Sequence, residues 1–211
     1  LVYNILEHSH ASNLYVKLFL TYSDLNIIIS DNGSGLLENI KSKLNLEIVE
    51  LAALELAKGQ ITTDLLQNSG EALNTIFHLF DKVKVDSSGY GIVYVSNKEQ
   101  WDIKYSTQKQ GTRVHLQINP NSNRTCDKIF QKLFNKKEQC IRLPISLLKG
   151  PKKNSLISKQ QAKNIFWNIG SINTIQFDFY NIDLIGPAFA DELVRKSRSI
   201  NRDVVIEWFN H

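Results

Sequence analysis

The sequence predicts an α/β protein of two units, an α+β two-layer sandwich followed by a smaller α/β domain. Over residues 1–118, apolar runs with the alternation of β-strands are interleaved with stretches whose apolar residues recur at helical spacing. After a polar break at residues 119–123, the order becomes strand–helix–strand–helix–strand, which is typical of a small α/β unit. We therefore expect a first domain over 1–118, a basic linker and helix over 119–139, and a second domain over 140–211.

The elements of the first unit follow from periodicity and from turn residues. Alternating or continuous apolar runs between polar turns predict strands at 15–22, 26–30, 82–87, 91–96, 101–106 and 112–118. Apolar residues at helical spacing predict helices at 1–10, 36–43, 47–57 and 71–80. Lys58 and Gly59 are expected to end the third helix. The polar stretch over 59–70 is bounded by glycines, as a mobile lid would be.

The second unit is assigned in the same way. Helices are predicted at 125–136, 159–169 and 187–199, and strands at 140–147, 174–179 and 204–208. Ser158 is a favourable N-cap for the helix that begins at residue 159.

The distribution of charge, the lengths of the apolar runs and the cysteine content limit the partners and the cellular compartment that we expect for this protein. Net charge is +4, but residues 121–160 alone carry ten Lys and Arg against two Asp and Glu. Such a basic connector is typical of a solvated surface, and a docking site for nucleic acid or an acidic partner is the alternative. No apolar run is long enough to span a membrane. Cys126 and Cys140 form no Cys-x-x-Cys pattern, so we expect a reducing, cytoplasmic compartment.

The most informative motif is Asp-x-Gly-x-Gly at Asp31, Gly33 and Gly35. It follows an apolar run that predicts a buried strand. Glycines at this spacing allow a sharp turn and the close approach of a flat ligand. A carboxylate at the strand end can accept a hydrogen bond from an exocyclic amine. Alone, the motif also fits a strand followed by a plain glycine turn.

Three further stretches accompany this motif in a fixed order. Residues 4–9 lie on the first predicted helix, residues 62–73 contain the end of the lid, and Gly111 with Thr112 opens the last strand of the unit. Together the four motifs resemble the GHKL superfamily of ATP-binding domains, which share a histidine-kinase-like ATPase fold. Within that superfamily they look most similar to anti-sigma-factor kinase modules.

The resemblance implies a site for ATP or ADP with Mg²⁺. Asn4 would hold the Mg²⁺ through its amide oxygen, which is a hard ligand. Asp31 would accept the hydrogen bond of the adenine amino group. The residues implied to bind the nucleotide are Asn4, His8, Asp31, Gly33, Gly35, Thr63, Gly70 and Thr112.

Two departures from the GHKL pattern weaken the expectation of hydrolysis. The general base of such enzymes would fall four residues before Asn4, upstream of Leu1, so no catalytic residue is assigned. Ala72 stands where the second glycine of the lid motif is expected, and its Cβ would crowd a phosphate loop.

The second unit resembles the STAS fold of anti-sigma-factor antagonists, and residues 185–193 look like a STAS-like domain found behind GHKL modules. Phosphorylated antagonists carry a hydroxyl in the corresponding loop. Here that loop is Gly186-Pro187-Ala188, so phosphate transfer between the two units of one chain is not expected.

The combined arrangement predicts a regulator in which ATP and Mg²⁺ at the first domain control a protein contact of the second, in transcription or signalling. A slow ATPase or a serine kinase acting on another protein is one alternative, and a scaffold with a decayed nucleotide site is another. A protein partner is expected, a homodimer is left open, and nucleic acid is expected only indirectly or through a segment upstream of Leu1. No membrane association is expected.

Overall fold

A computed structural model describes residues 2, 9–59, 69–134, 140–150, 155–167, 169, 172–200 and 203–210. The chain is a mixed α/β protein with a large antiparallel sheet, a smaller parallel sheet, and helices packed on both. The predicted fold class, α/β with an α+β first half, is confirmed.

The first half forms one six-stranded sheet. Its strands are β1 (Leu14–Leu20), β2 (Leu25–Asp31), β3 (Lys82–Ser87), β4 (Tyr90–Val95), β5 (Gln100–Tyr105) and β6 (Thr112–Ile118). They lie in the order β1-β2-β6-β3-β4-β5, and every neighbouring pair is antiparallel. Because β6 is inserted between β2 and β3, the start of β6 lies beside the end of β2.

Helices cover one face of this sheet. Apart from Val2, the α-helices among the described residues are α1 (Leu36–Lys43), α2 (Val49–Lys58), α3 (Ser69–Leu79), α4 (Cys126–Phe134), α5 (Lys159–Ile165) and α6 (Pro187–Ile200). Helices α1 and α3 contact β3. Phe77 of α3 is buried, and its ring centroid lies 4.7 Å from that of Trp101 in β5. Alternate strand residues such as Val85 and Leu116 complete this core.

The second half is built on a three-stranded parallel sheet in the order β11-β9-β7. Its strands are β7 (Cys140–Pro144), β9 (Thr174–Asp178) and β11 (Val205–Phe209), and a short parallel pair is formed by β8 (Ser155–Leu156) and β10 (Leu184–Ile185). Helix α5 begins with a capping box, in which the Ser158 hydroxyl accepts from the Gln161 N–H and the Gln161 side chain accepts from the Ser158 N–H, both at 3.1 Å.

The two halves share a hydrophobic core. Helix α2 contacts β7 and a 3₁₀ helix at Ile145–Lys149, and the buried Leu54 and Leu147 belong to one apolar cluster. Arg142 of β7 bridges Glu99 of the first half and Asp178 of the second, with N–O distances of 2.8 Å to each. The orientation of α2 is therefore tied to that of the parallel sheet.

Most strands and helices agree with the sequence-based predictions within a few residues. The strand predicted over 140–147 is wrong in its second part, because β7 ends at Pro144 and a 3₁₀ helix follows. The helix predicted over 159–169 ends at Ile165. Most of the helix predicted over 1–10 and of the lid over 59–70 lies outside the described residues, and the domain boundaries stay predictions. None of the helices in the described part of the chain is long and apolar enough to cross a bilayer.

Candidate functional site

The Asp31 carboxylate lies at the end of β2 and is only 4% exposed. Its Oδ1 accepts a hydrogen bond from the Gly33 N–H at 2.8 Å. Its Oδ2 is buried and has no hydrogen-bond partner among the described residues. Buried acceptors are almost always satisfied, because an unsatisfied one costs about 1–3 kcal/mol, and more when it is charged. This oxygen is therefore the atom of the site that most needs an external donor.

Gly33 allows the turn after β2 to press against the residues that precede β1. A Cβ at Gly33 would lie 2.1 Å from the Ser9 carbonyl oxygen. The same oxygen accepts a hydrogen bond from the Ser34 N–H at 2.8 Å. The space that the glycine leaves is thus occupied by the protein's own backbone.

Gly35 has a different role at the start of α1. Its φ of 90° places it in a conformation that favours glycine, and it is the N-cap of the helix. A Cβ there would lie 2.9 Å from the Ser87 Oγ and 3.1 Å from the Gly111 carbonyl oxygen. Gly35 therefore lets α1 begin against the ends of β3 and β6.

Thr112 and Ser87 cap the first turn of α1 from the sheet. They are paired in register on β6 and β3, and both are buried. The Thr112 Oγ1 accepts from the Leu36 N–H at 2.7 Å, and the Ser87 Oγ accepts from the Leu37 N–H at 3.3 Å. Two of the backbone donors that a helix leaves unsatisfied at its N-terminus are thereby bonded.

Asp31 and Thr112 are brought together by the register of β2 and β6. Ser30 pairs with Arg113 in antiparallel register. Asp31, which follows Ser30, therefore lies beside Thr112, which precedes Arg113. Gly111 has a φ of 70°, and a Cβ there would lie 2.0 Å from the Asp31 carbonyl oxygen. Asp31, Gly33, Gly35 and Thr112, predicted from widely separated motifs, therefore form one cluster.

Asn32 orders the turn in a way that the sequence did not suggest. Its Oδ1 accepts from the backbone N–H groups of Ser12 and Asn13 at 3.0 and 2.9 Å. The Gln110 side chain donates to the Asn32 carbonyl oxygen at 3.1 Å. Asn32 and Ser87 are the contributors that sequence reasoning missed, since isolated polar residues carry no periodic signal.

The other predicted site residues are not positioned by the structure. Asn4, the predicted Mg²⁺ ligand, together with His8 and Thr63, lies outside the described residues. Gly70 is described only as a backbone position in the first turn of α3. Within the described ranges, no group of three or more His, Cys, Asp or Glu residues could hold a metal ion.

The residues just before the predicted lid, Lys58 and Gly59, are well defined, and we call this position the hinge of the predicted lid. Helix α2 ends at Lys58, and Gly59 follows in the left-handed conformation with a φ of 66°. A Cβ at Gly59 would lie 2.8 Å from the Asn74 side chain of α3. The chain therefore leaves α2 in close contact with the helix that follows the lid.

A buried ion pair adjoins this hinge. The Lys58 and Glu55 side chains are 1% and 4% exposed, and the Lys58 ammonium group donates to the Glu55 carboxylate. It also donates to the Trp167 carbonyl oxygen, in the second half, at 2.9 Å. Burial lowers the pKa of Lys58 and raises the pKa of Glu55, while their mutual attraction opposes both shifts.

Comparisons with known proteins give a limited likeness. No family model and no curated protein matches the sequence. Among solved structures, the chain is similar to the crystal structure of the 43K ATPase domain of Thermus thermophilus gyrase B in complex with an aminocoumarin. The identity is 19% and the TM-score 0.33, and the match covers 63% of this chain and 35% of the gyrase chain. A likeness of this size assigns neither a ligand nor an activity.

Proposed function

We propose that this chain binds an adenine nucleotide at Asp31, and that occupancy of this site controls a protein contact made by the second half. The observation that carries the proposal is the buried Asp31 Oδ2, which has no hydrogen-bond partner among the described residues. An adenine amino group would supply the missing donor. The nucleotide would be ATP or ADP with Mg²⁺, as in the GHKL proteins that the sequence resembles.

The polar groups around Asp31 favour a base over a metal ion as its ligand. Hard cations such as Mg²⁺ and Ca²⁺ in protein sites are bound by several oxygen ligands. Here the second oxygen of the carboxylate is already bonded to the Gly33 N–H, and the Thr112 Oγ1 is bonded to the Leu36 N–H. One buried oxygen without a described partner matches one N–H donor on a flat ring.

The remaining predicted contacts complete the proposal. Asn4 would hold Mg²⁺, and His8 would lie on the same helix. Thr63 and Gly70 would approach the phosphates from the lid. A lid that binds phosphate in one conformation only would shift the population toward that conformation by its differential affinity.

The route to the second half runs through the hinge. Lys58 is the last residue of α2 and Gly59 the first residue of the predicted lid. Because Lys58 also bonds to Trp167, a change in the lid is transmitted to the second half through one buried side chain. A coupling of about 1–3 kcal/mol is typical of linked sites.

The proposal is tested by combining a variant of Asp31 with a nucleotide that carries a different nucleobase. In Asp31→Asn, the amide oxygen can still accept from the Gly33 N–H, while the amide nitrogen replaces the unpartnered oxygen by a donor. ATP, whose amino group is also a donor, should bind about 10- to 100-fold more weakly, as expected for the loss of a charged hydrogen bond. Inosine triphosphate carries a carbonyl at that position and should bind the variant better than it binds the wild type.

Calorimetry with both nucleotides and Mg²⁺ measures these affinities. Asp102→Asn is the matched control, because Asp102 lies on β5, away from the site, and pairs with Lys104 at 3.3 Å. The control should keep the wild-type affinity for ATP. Equal binding of ATP by the wild type and by folded Asp31→Asn would remove Asp31 from the site and with it the proposed function.

A further inference from the structure

The face of the large sheet opposite the helices is open. By register it carries three rows of side chains, namely Tyr15, Ser30, Arg113, Asp86, Gly91 and Lys104; Lys17, Ile28, His115, Lys84, Val93 and Asp102; and Phe19, Asn26, Gln117, Lys82, Val95 and Gln100. We call this surface the open sheet face. All of its residues except Asn26, Asp86 and Gly91 are at least partly exposed, so no described helix covers it.

Cations outnumber carboxylates on the open sheet face. Lys84 pairs with Asp86 at 2.9 Å, and Lys104 pairs with Asp102 at 3.3 Å. The other three cations, Lys17, Lys82 and Arg113, are exposed and make no ion pair with a described residue. The face thus carries a net charge of about +3, and such a surface attracts anions.

His115, in the middle of the face, is close enough to the lysines and to Asp86 for their charges to act on its pKa. Burial, followed by the charges of Lys82 and Lys84, lowers the pKa of His115. The imidazole lies 2.9 Å from the Asn26 Oδ1, which fixes it on this side of the sheet. Lys82 and Lys84 therefore act on the centre of the face and not only on its rim.

Aromatic rings accompany the cations on the edge strand β1. Tyr15 is 67% exposed, and Phe19 lies on the same side of the strand. The Lys17 ammonium group between them lies 5.1 Å from the centroid of the Phe19 ring. Tyr15 therefore offers an exposed ring close to cations, and a ring of this kind can stack on a flat ligand.

We propose that the open sheet face binds single-stranded nucleic acid, with phosphates at Lys17, Lys82 and Arg113 and a base stacked on Tyr15. A positive surface combined with aromatic rings is the combination that binds single strands without sequence preference. From strand spacings of about 4.8 Å and about 6.7 Å between alternate residues, the three Cα positions are roughly 12–16 Å apart. One extended strand can therefore reach all three.

Single-stranded nucleic acid fits the open sheet face better than a duplex or an acidic protein does. A duplex shields its bases from stacking on Tyr15, and the described sheet face carries no helix to enter a groove. An acidic protein would satisfy the cations without using the rings. The face lies on the side of the sheet opposite the buried Val85 and Leu116, so it is separate from helix α1, which begins close to Asp31.

Fluorescence anisotropy with a labelled oligo(dT) of about twelve nucleotides, within the usual range of site sizes, tests the proposal. Three phosphate contacts predict a slope of about −2 in log affinity against log salt, or roughly twentyfold weaker binding between about 50 and 200 mM. Lys17→Ala/Lys82→Ala/Arg113→Ala should lose at least about tenfold in affinity and most of that slope. Tyr15→Ala should lose about fivefold or more with the slope unchanged.

The matched control removes the same charge from the basic connector and α5. Lys128→Ala/Lys159→Ala/Lys163→Ala alters three exposed lysines that lie on helices and not on the open sheet face, and it should bind like the wild type. Saturating ATP should not displace the probe, and Asp31→Asn should bind it normally, so this test is independent of the nucleotide site. Absence of binding at low salt, an equal loss in the control variant, or equal competition by polyglutamate of matched charge would overturn the proposal.

Discussion

Lys58 and Trp167 join the two halves of the chain by a hydrogen bond of 2.9 Å from the lysine ammonium group to the tryptophan carbonyl oxygen. The donor is the last residue of α2, next to the hinge glycine, and the acceptor follows α5. Because the ammonium group is also bonded to the buried Glu55, its position is set by two partners. The side chain of Lys58 therefore connects the end of α2 directly to the second half.

Removal of Lys58 should destabilise the protein strongly. Lys58→Met leaves the Glu55 carboxylate buried without its partner, which costs about 3–5 kcal/mol in comparable buried pairs. Glu55→Leu/Lys58→Met removes both charges and should recover most of that loss. Denaturant unfolding measures the free energy of each variant.

The partly exposed pair of Lys41 and Glu38, at 3.2 Å, provides the control. Lys41→Met should change the free energy of unfolding by no more than about 1 kcal/mol, since solvated ion pairs contribute little. If Lys58→Met were as mild as this control, the buried pair would not fix the hinge.

Gly111 should tolerate no side chain, because of contact and not only because of its dihedral angle. An alanine Cβ there would lie 2.0 Å from the Asp31 carbonyl oxygen, whereas at Gly89, with a similarly positive φ, nothing lies within 4 Å. Gly89→Ala should cost only the left-handed strain of about 1–2 kcal/mol. Gly111→Ala should exceed this clearly in thermal unfolding, and equal losses would show that β6 does not press on Asp31.

His115 should make stability depend on pH in mildly acidic solution. Burial and the nearby lysines lower its pKa in the folded state, so the unfolded chain takes up the proton first as the pH falls. The His115 contribution to stability is therefore present above its ordinary pKa of 6.5 and is lost as the pH falls through the lowered value. His115→Gln, which can still donate to Asn26, should reduce this loss in unfolding curves recorded across that range.

The strands of the first half could be predicted because their apolar alternation is local. β3 and β6 have the predicted bounds, and α2 ends at the predicted lysine and glycine. The short pair β8 and β10 could not be predicted, since two residues are too few to show a period. The 3₁₀ helix after β7 could not be predicted either, because it continues an apolar run that shows no helical period.

The candidate site was predictable only in part for a similar reason. The Asp-x-Gly-x-Gly pattern located Asp31, but the sequence could not show which of its oxygens is bonded and which is left without a described partner. The caps that Ser87 and Thr112 provide for α1 join residues 50 and 76 positions apart. The contact of Lys58 with Trp167 spans 109 positions and depends on the packing of the two halves.

Hydrogen–deuterium exchange of the full chain, with and without saturating Mg²⁺ and ATP, tests most directly whether the nucleotide site controls the second half. We predict slower exchange near Gly59 and also around α5 and Trp167, and a clearly smaller change in Asp31→Asn at an ATP concentration that just saturates the wild type. Glu55→Leu/Lys58→Met should retain the effect near Gly59 and lose it around Trp167. Protection confined to the first half of the wild-type chain, with ATP bound, would contradict the account.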